Sequence, residues 1–294
     1  MSSRFISGQR PADTLNYAFL IFLIAITVLF YKKINSAFLL IALYSVLILV
    51  QAVLQTVKDK SRSLRLTYDL IFPTICILVI FDSLEKIVHY INPRDIDVFL
   101  IKADYMLFNG YPTVMLENIM FPFLTDILQI AYSSYYFLPI TLGIVLVIKK
   151  DNLSFNHALF LIMLCFYLSY VGYLLWPALG PRYTLNHMQN TELKGLFLAE
   201  PIQDLLNRLE GVKRDAFPSG HTGIALTVLY LSYCFEKKLF TIFLPFVLGL
   251  IFSTVYLRYH YVVDVIAGIV LALITIILGE RLYEYSKKRL DTYS

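Results

Sequence analysis

Eight stretches of this chain stay apolar for about the length of a bilayer crossing: near 16–31, 35–57, 68–90, 122–148, 155–176, 218–235, 239–257 and 261–280. A hydrocarbon core of about 30 Å asks for ~20 apolar residues of helix. In lipid, only helices or closed barrels satisfy their own backbone. Runs of this length therefore predict an all-α integral membrane protein with about eight transmembrane helices. Composition agrees: the 294 residues are 58% hydrophobic and 16% charged, against ~45–50% and ~25% for soluble domains. The 22 Tyr and 22 Phe suit aromatic belts at the bilayer surfaces. The first run is short and has no small-residue cleavage site after it, so it reads as a retained helix. The third is interrupted near its end by Asp82, Glu85 and Lys86.

Two stretches do not span. Residues 91–121 are turn-rich and predict a segment lying along the membrane surface; residues 177–217 hold most of the polar chemistry. The expected organisation is an N-terminal transmembrane hairpin over 1–60 and a membrane catalytic domain over 61–294. Arg4, Arg10, Lys58, Lys60, Arg62, Arg65, Lys149, Lys150, Lys237, Lys238, Arg281, Lys287, Lys288 and Arg289 collect on one side, which the positive-inside rule assigns, with both termini, to the cytoplasm. The opposite side is periplasmic or lumenal. There Arg182, Lys194, Arg208, Lys213 and Arg214 crowd into 177–217, and an anionic substrate would account for them. Helix parity brings the segment 258–264 to the same face as 177–217, so two polar constellations meet there.

A net charge of +4 gives no footprint for nucleic acid. Cys76, Cys165 and Cys234 sit inside apolar runs and read as small buried hydrophobes. No metal-ligand spacing such as CxxC or HExxH occurs, so neither a metal nor a cofactor is expected.

The first constellation is RDAFPSGHTG, Arg214 to Gly223. Pro218 suits the first turn of a helix. Ser219, Gly220 and His221 then place a hydroxyl, exposed backbone N–H groups and an imidazole at a helix start, which is an anion site. The second is Arg258-Tyr-His260-Tyr-Val-Val-Asp264. His260 and Asp264 share a helix face, and a carboxylate there can hold an imidazole in one tautomer, leaving the other nitrogen as base or nucleophile. The third is Gly180-Pro181-Arg182, a turn presenting a guanidinium, the group best matched to phosphate.

PSGH at 218–221 with His260-x-x-x-Asp264, in this order, resembles the phosphatidic acid phosphatase type 2 (PAP2) superfamily over roughly 176–280. The resemblance implies a six-helix catalytic bundle and metal-independent phosphoryl transfer. It implies that His260 attacks phosphorus to form a phosphohistidine, Asp264 orients it, and His221 protonates the leaving oxygen. Arg182, Ser219, Gly220 and nearby bases would hold the equatorial oxygens, so catalysis would rest on positioning and charge. Two positions depart from the family pattern. Leu175 stands where the family has Lys, and Thr254 where it has Arg. If the seventh helix runs on, Arg258 falls one turn beyond Thr254 on the same face and supplies the guanidinium, with Lys213 or Arg214 replacing the Lys. The GPR-like first motif joined to HYxxD is similar to the branch containing inositol phosphorylceramide synthases.

Simpler roles stand beside these. Arg182, Lys213 and Arg214 could anchor to lipid phosphates by snorkelling. His187 reads as a solvated loop residue, His89 and His157 as interfacial. Tyr256, Tyr259 and Tyr261 read most simply as belt aromatics, one of which could wall the headgroup pocket, and Leu196–Leu209 as an interfacial helix over the site. A channel or transporter would put charges near helix midpoints or show matched broken helices; here the ionisable clusters sit at helix ends. The leading expectation is a lipid phosphatase acting on a phospholipid or polyprenyl phosphate or diphosphate. The alternative is a lipid phosphotransferase in which a second lipid's hydroxyl intercepts the same intermediate.

Overall fold

An apolar run in lipid can pair its backbone only with itself, and the computed structural model is helical throughout, with no strand among the described residues, 9–209 and 212–292. Arg4 and the side chain of Arg208 lie outside the described residues. The principal helices are α1 (Pro11–Leu29), α2 (Ala37–Val57), α3 (Phe72–Ile91), α4 (Asp97–Phe108), α5 (Pro122–Ile148), α6 (Asn152–Leu175), α7 (Ala199–Leu209), α8 (Gly220–Phe235), α9 (Lys237–Tyr256) and α10 (Val262–Thr292). Helix α3 is entered through a π-helical turn at Thr67–Ile71, part of a run of 30 residues from Arg62.

Seven helices among the described residues are long and apolar enough to cross a membrane: α1, α2, α3 with its entry, α5, α6, α9 and α10. The expected crossing at 218–235 is α8, which has 16 residues and so rises about 24 Å, short of that length. Its start explains the difference. Pro218 lies outside the helix, after a cis Phe217–Pro218 bond. Ser219 is the N-cap, its Oγ accepting from the Thr222 N–H at 3.3 Å, so the motif's first residues are spent on the turn.

Helix α6 is the central strut. Of its apolar window 78% is buried, against 28–39% for the other long helices, and it packs on α1, α3, α5, α8 and α10. A helix apolar on all sides belongs in such a position. Buried polar groups tie α1 and α2 to it. Arg10 bonds Asp13 and Asp69 (3.1 and 2.8 Å), Asn16 donates to Gln51 at 2.7 Å, and Tyr167 of α6 bonds Asn16.

Helix α4, the surface segment, is arranged with its polar side inward. Val98, Phe99 and Met106 are exposed while Asp97, Leu100 and Asp104 are buried. Apolar side chains turned outward suit a helix lying in the lipid interface, and the two inward carboxylates are positioned to bind other segments.

Candidate active site

Three chain segments, 178–182, 216–219 and 258–264, converge at the starts of α8 and α10, and backbone hydrogen bonds knit them. Ala216 N–H donates to Ala178 O (3.1 Å), Arg182 N–H to Arg258 O (2.9 Å) and Ser219 N–H to Asp264 O (3.0 Å). Gly180 has φ +88°, and a Cβ there would lie 2.5 Å from Tyr259 O; the turn before Arg182 needs glycine for both reasons.

Carboxylates from α4 lock these loops. Asp97 accepts the N–H groups of Leu179 and Gly180 (both 2.9 Å) and the Tyr261 hydroxyl (2.9 Å). Asp104 accepts the N–H groups of Val262 and Val263 at 3.0 and 2.9 Å, capping the first turn of α10. Neither was expected from the motifs. Their signal was two aspartates seven positions apart, on one face of a largely apolar stretch.

The two histidines meet inside this frame. His221 Nδ1 lies 3.3 Å from His260 Nε2, and His260 Nδ1 lies 2.8 Å from Ala216 O. A carbonyl only accepts, so His260 carries its proton on Nδ1, and Nε2 presents its lone pair towards His221. Asp264 plays a different part from the one expected. Its Oδ2 accepts the Tyr261 N–H at 2.9 Å and sits 3.6 Å from His260 Nδ1. It is first a cap on α10 and only second a neighbour of the imidazole. Burial pushes His260 down to about 4, the Arg182 charge adding to the effect and Asp215 and the Ala216 carbonyl opposing it. The imidazole is therefore neutral at ordinary pH.

An aromatic wall backs the pair. Tyr132 stacks on Tyr259 (4.4 Å between centroids) and on His221 (4.7 Å), and Tyr135 lies 4.3 Å from His221. Arg182 sits over the rings of Tyr183 and Tyr259 at 4.7 and 5.0 Å, within the range of cation–π contact. Tyr256, Tyr259 and Tyr261 are all buried, so they are not belt aromatics, and Tyr259 stands in the wall behind the histidines.

The other predicted residues fall as follows. Ser219 is buried, its hydroxyl engaged with Thr222. Gly220 faces the Tyr173 hydroxyl so closely that a Cβ would overlap it. Arg214 is held by Asp95 (2.7 Å) and, at 3.9 Å, Glu85; exposed Lys213 donates its N–H to Glu85. Both stand at the rim. Arg258 overturns an expectation. Helix α9 ends at Tyr256, because the Tyr259 and His260 N–H groups both turn back to Thr254 O. Arg258 then takes φ +67°, and its guanidinium is bound by Glu117 (2.8 Å) and Thr191 O (2.6 Å). It does not stand one turn beyond Thr254 on a continuing helix, and its guanidinium is engaged by Glu117 and Thr191 instead.

Over the site, Asp126 at the start of α5 accepts four consecutive N–H groups, Leu196 to Ala199, at 2.7–3.1 Å. They lead into α7, the helix expected to cover the site. Beneath it, a cavity of 710 Å³ reaches from Asp215 and His221 down between α3, α5 and α6 to Asp69. Among the described residues no group of three or more His, Cys, Asp or Glu is placed to hold a metal ion.

A sequence profile of the PAP2 superfamily matches residues 100–278, more than half of the chain. A stretch of 73 residues is 41% identical to the inositol phosphorylceramide synthase catalytic subunit of Saccharomyces cerevisiae, covering 24% of this chain and 16% of that one. A stretch of 68 residues is 43% identical to the corresponding subunit of Schizosaccharomyces pombe, covering 23% and 16%. The chain thus matches well under a fifth of the length of these curated relatives. No solved structure matches it.

Proposed function

This chain belongs to the PAP2 superfamily, and from that premise we propose that it is a lipid phosphatase working through a phosphohistidine on His260. The histidine pair carries this reading: a neutral imidazole fixed at Nδ1, its free lone pair 3.3 Å from a second imidazole nitrogen. A lipid phosphate binds at the pair and parts the 3.3 Å contact between the rings. His260 Nε2 attacks phosphorus as the bond to the lipid oxygen breaks, and His221, made an imidazolium by a proton that the bound phosphate brings, passes a proton to that leaving oxygen. Water then attacks phosphorus in line, returns a proton to His221, and restores the His260 lone pair. Arg182, with the first turn of α8 at Ser219 and Gly220, holds the equatorial oxygens. Lys213 and Arg214 act at the rim, as part of the field that gathers anionic headgroups. In this reading α8, though short, serves as an eighth crossing, so the site faces the extracytoplasmic side with both termini cytoplasmic, in keeping with the Lys/Arg distribution.

The local identity to two inositol phosphorylceramide synthase subunits favours a second reading. In it a lipid hydroxyl replaces water and a phosphorylated headgroup moves between lipids. Purified protein should be given phosphatidic acid, phosphatidylglycerol phosphate and a polyprenyl diphosphate, with His260→Ala, EDTA and vanadate in parallel. Phosphate release that survives EDTA but is lost with His260→Ala and with vanadate supports the phosphatase. Product formed only when phosphatidylinositol and a ceramide are both present supports the transferase. Activity retained by His260→Ala rules out both.

A further inference from the structure

Tyr132 and Tyr135 stand three positions apart on α5, so their rings leave one face of that helix. Both reach His221. The Tyr132 ring is stacked on the imidazole at 4.7 Å between centroids, with 29° between the planes, and Tyr135 lies at 4.3 Å, tilted by 41°. Tyr132 and His221 are both buried. On its other account Tyr132 is stacked with Tyr259 at 4.4 Å and 13°, and Arg182 stands over Tyr259 at 5.0 Å. A column of Arg182, Tyr259, Tyr132 and His221 thus ties the guanidinium assigned to the phosphate to the imidazole assigned to the leaving oxygen.

A buried imidazolium is costly unless something answers its charge. No carboxylate is hydrogen-bonded to His221 to do so. Its Nε2 is buried without a hydrogen-bond partner among the described residues, and its Nδ1 faces His260. Asp264 is engaged by the Tyr261 N–H and lies beside His260. Asp215, from the stretch before α8, and Asp82 and Lys86, from α3, line the same cavity as His221, and their charges pull in both directions. Tyr170 and Tyr173 of α6 also line it and, as phenols, are neutral through the working pH range. What touches the imidazole is the aromatic face. A ring within ~6 Å of a cation attracts it through its quadrupole, and the attraction grows as water is excluded. Tyr132 and Tyr135 both fall inside that distance.

We propose that Tyr132 is a positioning residue whose ring face, aided by Tyr135, stabilises His221 as an imidazolium and keeps it protonated until the leaving oxygen takes the proton. The inference rests on the phosphohistidine reading. A neutral imidazole gains little from the ring quadrupole and a cation gains much more. The ring therefore raises the pH at which His221 loses its proton, and removing the ring lowers it.

The test is the pH profile of kcat, whose basic limb reports the acid in the substrate complex. Tyr132→Phe keeps the ring face, and the limb should stay where wild type has it. Tyr132→Leu removes the face, and the limb should move about one pH unit to the acid side. Above both midpoints that is about ten-fold less turnover. The acid limb of His260 should not move in either variant. Leu at a buried aromatic position also leaves a void, so mono-, di- and trifluorinated phenylalanines at position 132 separate shape from charge. Fluorine drains the ring face and changes its size little, and the limb should step to lower pH along the series. A limb that stays put along the series, or that moves as far in Tyr132→Phe as in Tyr132→Leu, overturns the proposal. The His221 midpoint, read by ¹⁵N NMR with inorganic phosphate present, needs no turnover and should fall in the same order. If wild type releases no phosphate from any lipid, the catalytic reading fails, and that midpoint alone decides the ring: a fall along the series supports it, and no change overturns it.

Discussion

The carbonyl oxygen of Ala216 lies 2.8 Å from Nδ1 of His260, so the backbone just before one histidine fixes the proton of the other. Asp264, the carboxylate expected to do this, is 3.6 Å from that nitrogen and 2.9 Å from the Tyr261 N–H. Where an aspartate alone sets the tautomer, its replacement by Asn costs about 10⁴ in rate. We predict that Asp264→Asn, which can still accept from Tyr261, loses less than about 100-fold in kcat, because Ala216 keeps the tautomer. Asp264→Ala, which also removes the cap, should lower thermal stability as well. A 10⁴-fold loss in a stable Asp264→Asn protein would return tautomer control to the carboxylate.

Burial holds His260 near 4, with the Arg182 charge pushing the same way. Protonation removes the attacking lone pair, so the acid limb due to His260 should fall near pH 4, well below the ~6.5 of a solvated imidazole. The unfolded chain takes up that proton as pH drops from ~6.5, whereas the folded chain does so only near 4. Folded stability should therefore decline through that window. Titration of ¹⁵N-histidine-labelled protein by NMR reads the midpoint directly; a His260 midpoint at 6 or above contradicts the buried site.

What could be read beforehand was what repeats or spans. Apolar run length gave the helices, and parity placed His221 and His260 on one face, where they now lie 3.3 Å apart. What could not be read was where side chains find backbone partners far along the chain. Asp97 reaches Gly180, Asp104 reaches Val262, and Asp126 reaches Leu196 to Ala199. No periodicity marks a carboxylate whose donors are the amides of a distant loop. Arg258 failed for a related reason. Helical extrapolation from Thr254 assumed a continuing ladder, whereas two N–H groups fold back onto the Thr254 carbonyl and end it.

Arg258 is buried against Glu117, and Glu117 also accepts the Asn190 N–H at 3.0 Å. Removing one partner leaves the other charge buried and unpaired, which costs about 3–5 kcal/mol, whereas replacing both together is far milder. We predict that Arg258→Ala lowers the melting temperature markedly, and that Arg258→Met combined with Glu117→Gln recovers most of the loss, since Gln can still accept from Asn190. Activity lost in Arg258→Ala with no change in melting would instead assign the guanidinium to catalysis.

Asp126 bears a comparable load for the cover of the site. Its two oxygens take the N–H groups of Leu196, Phe197, Leu198 and Ala199, the last of these opening α7. Hydrogen bonds to a charged acceptor are stronger than those to a neutral one, and unmet buried donors carry their own penalty. Gly195 packs so tightly on the carboxylate that a Cβ would overlap Oδ1, so no larger residue fits without displacing the cap. We predict that Asp126→Ala and Gly195→Val both free the segment 195–206 while leaving α5, α6 and α10 in place. Hydrogen exchange should rise at least ten-fold across that segment and stay unchanged in α6. If α7 covers the bound headgroup, KM should rise in both variants more than kcat falls, because positioning is lost while the histidine pair stays intact. Equal exchange in variant and wild type would mean that the segment is held by its apolar contacts, and that Asp126 is not its anchor.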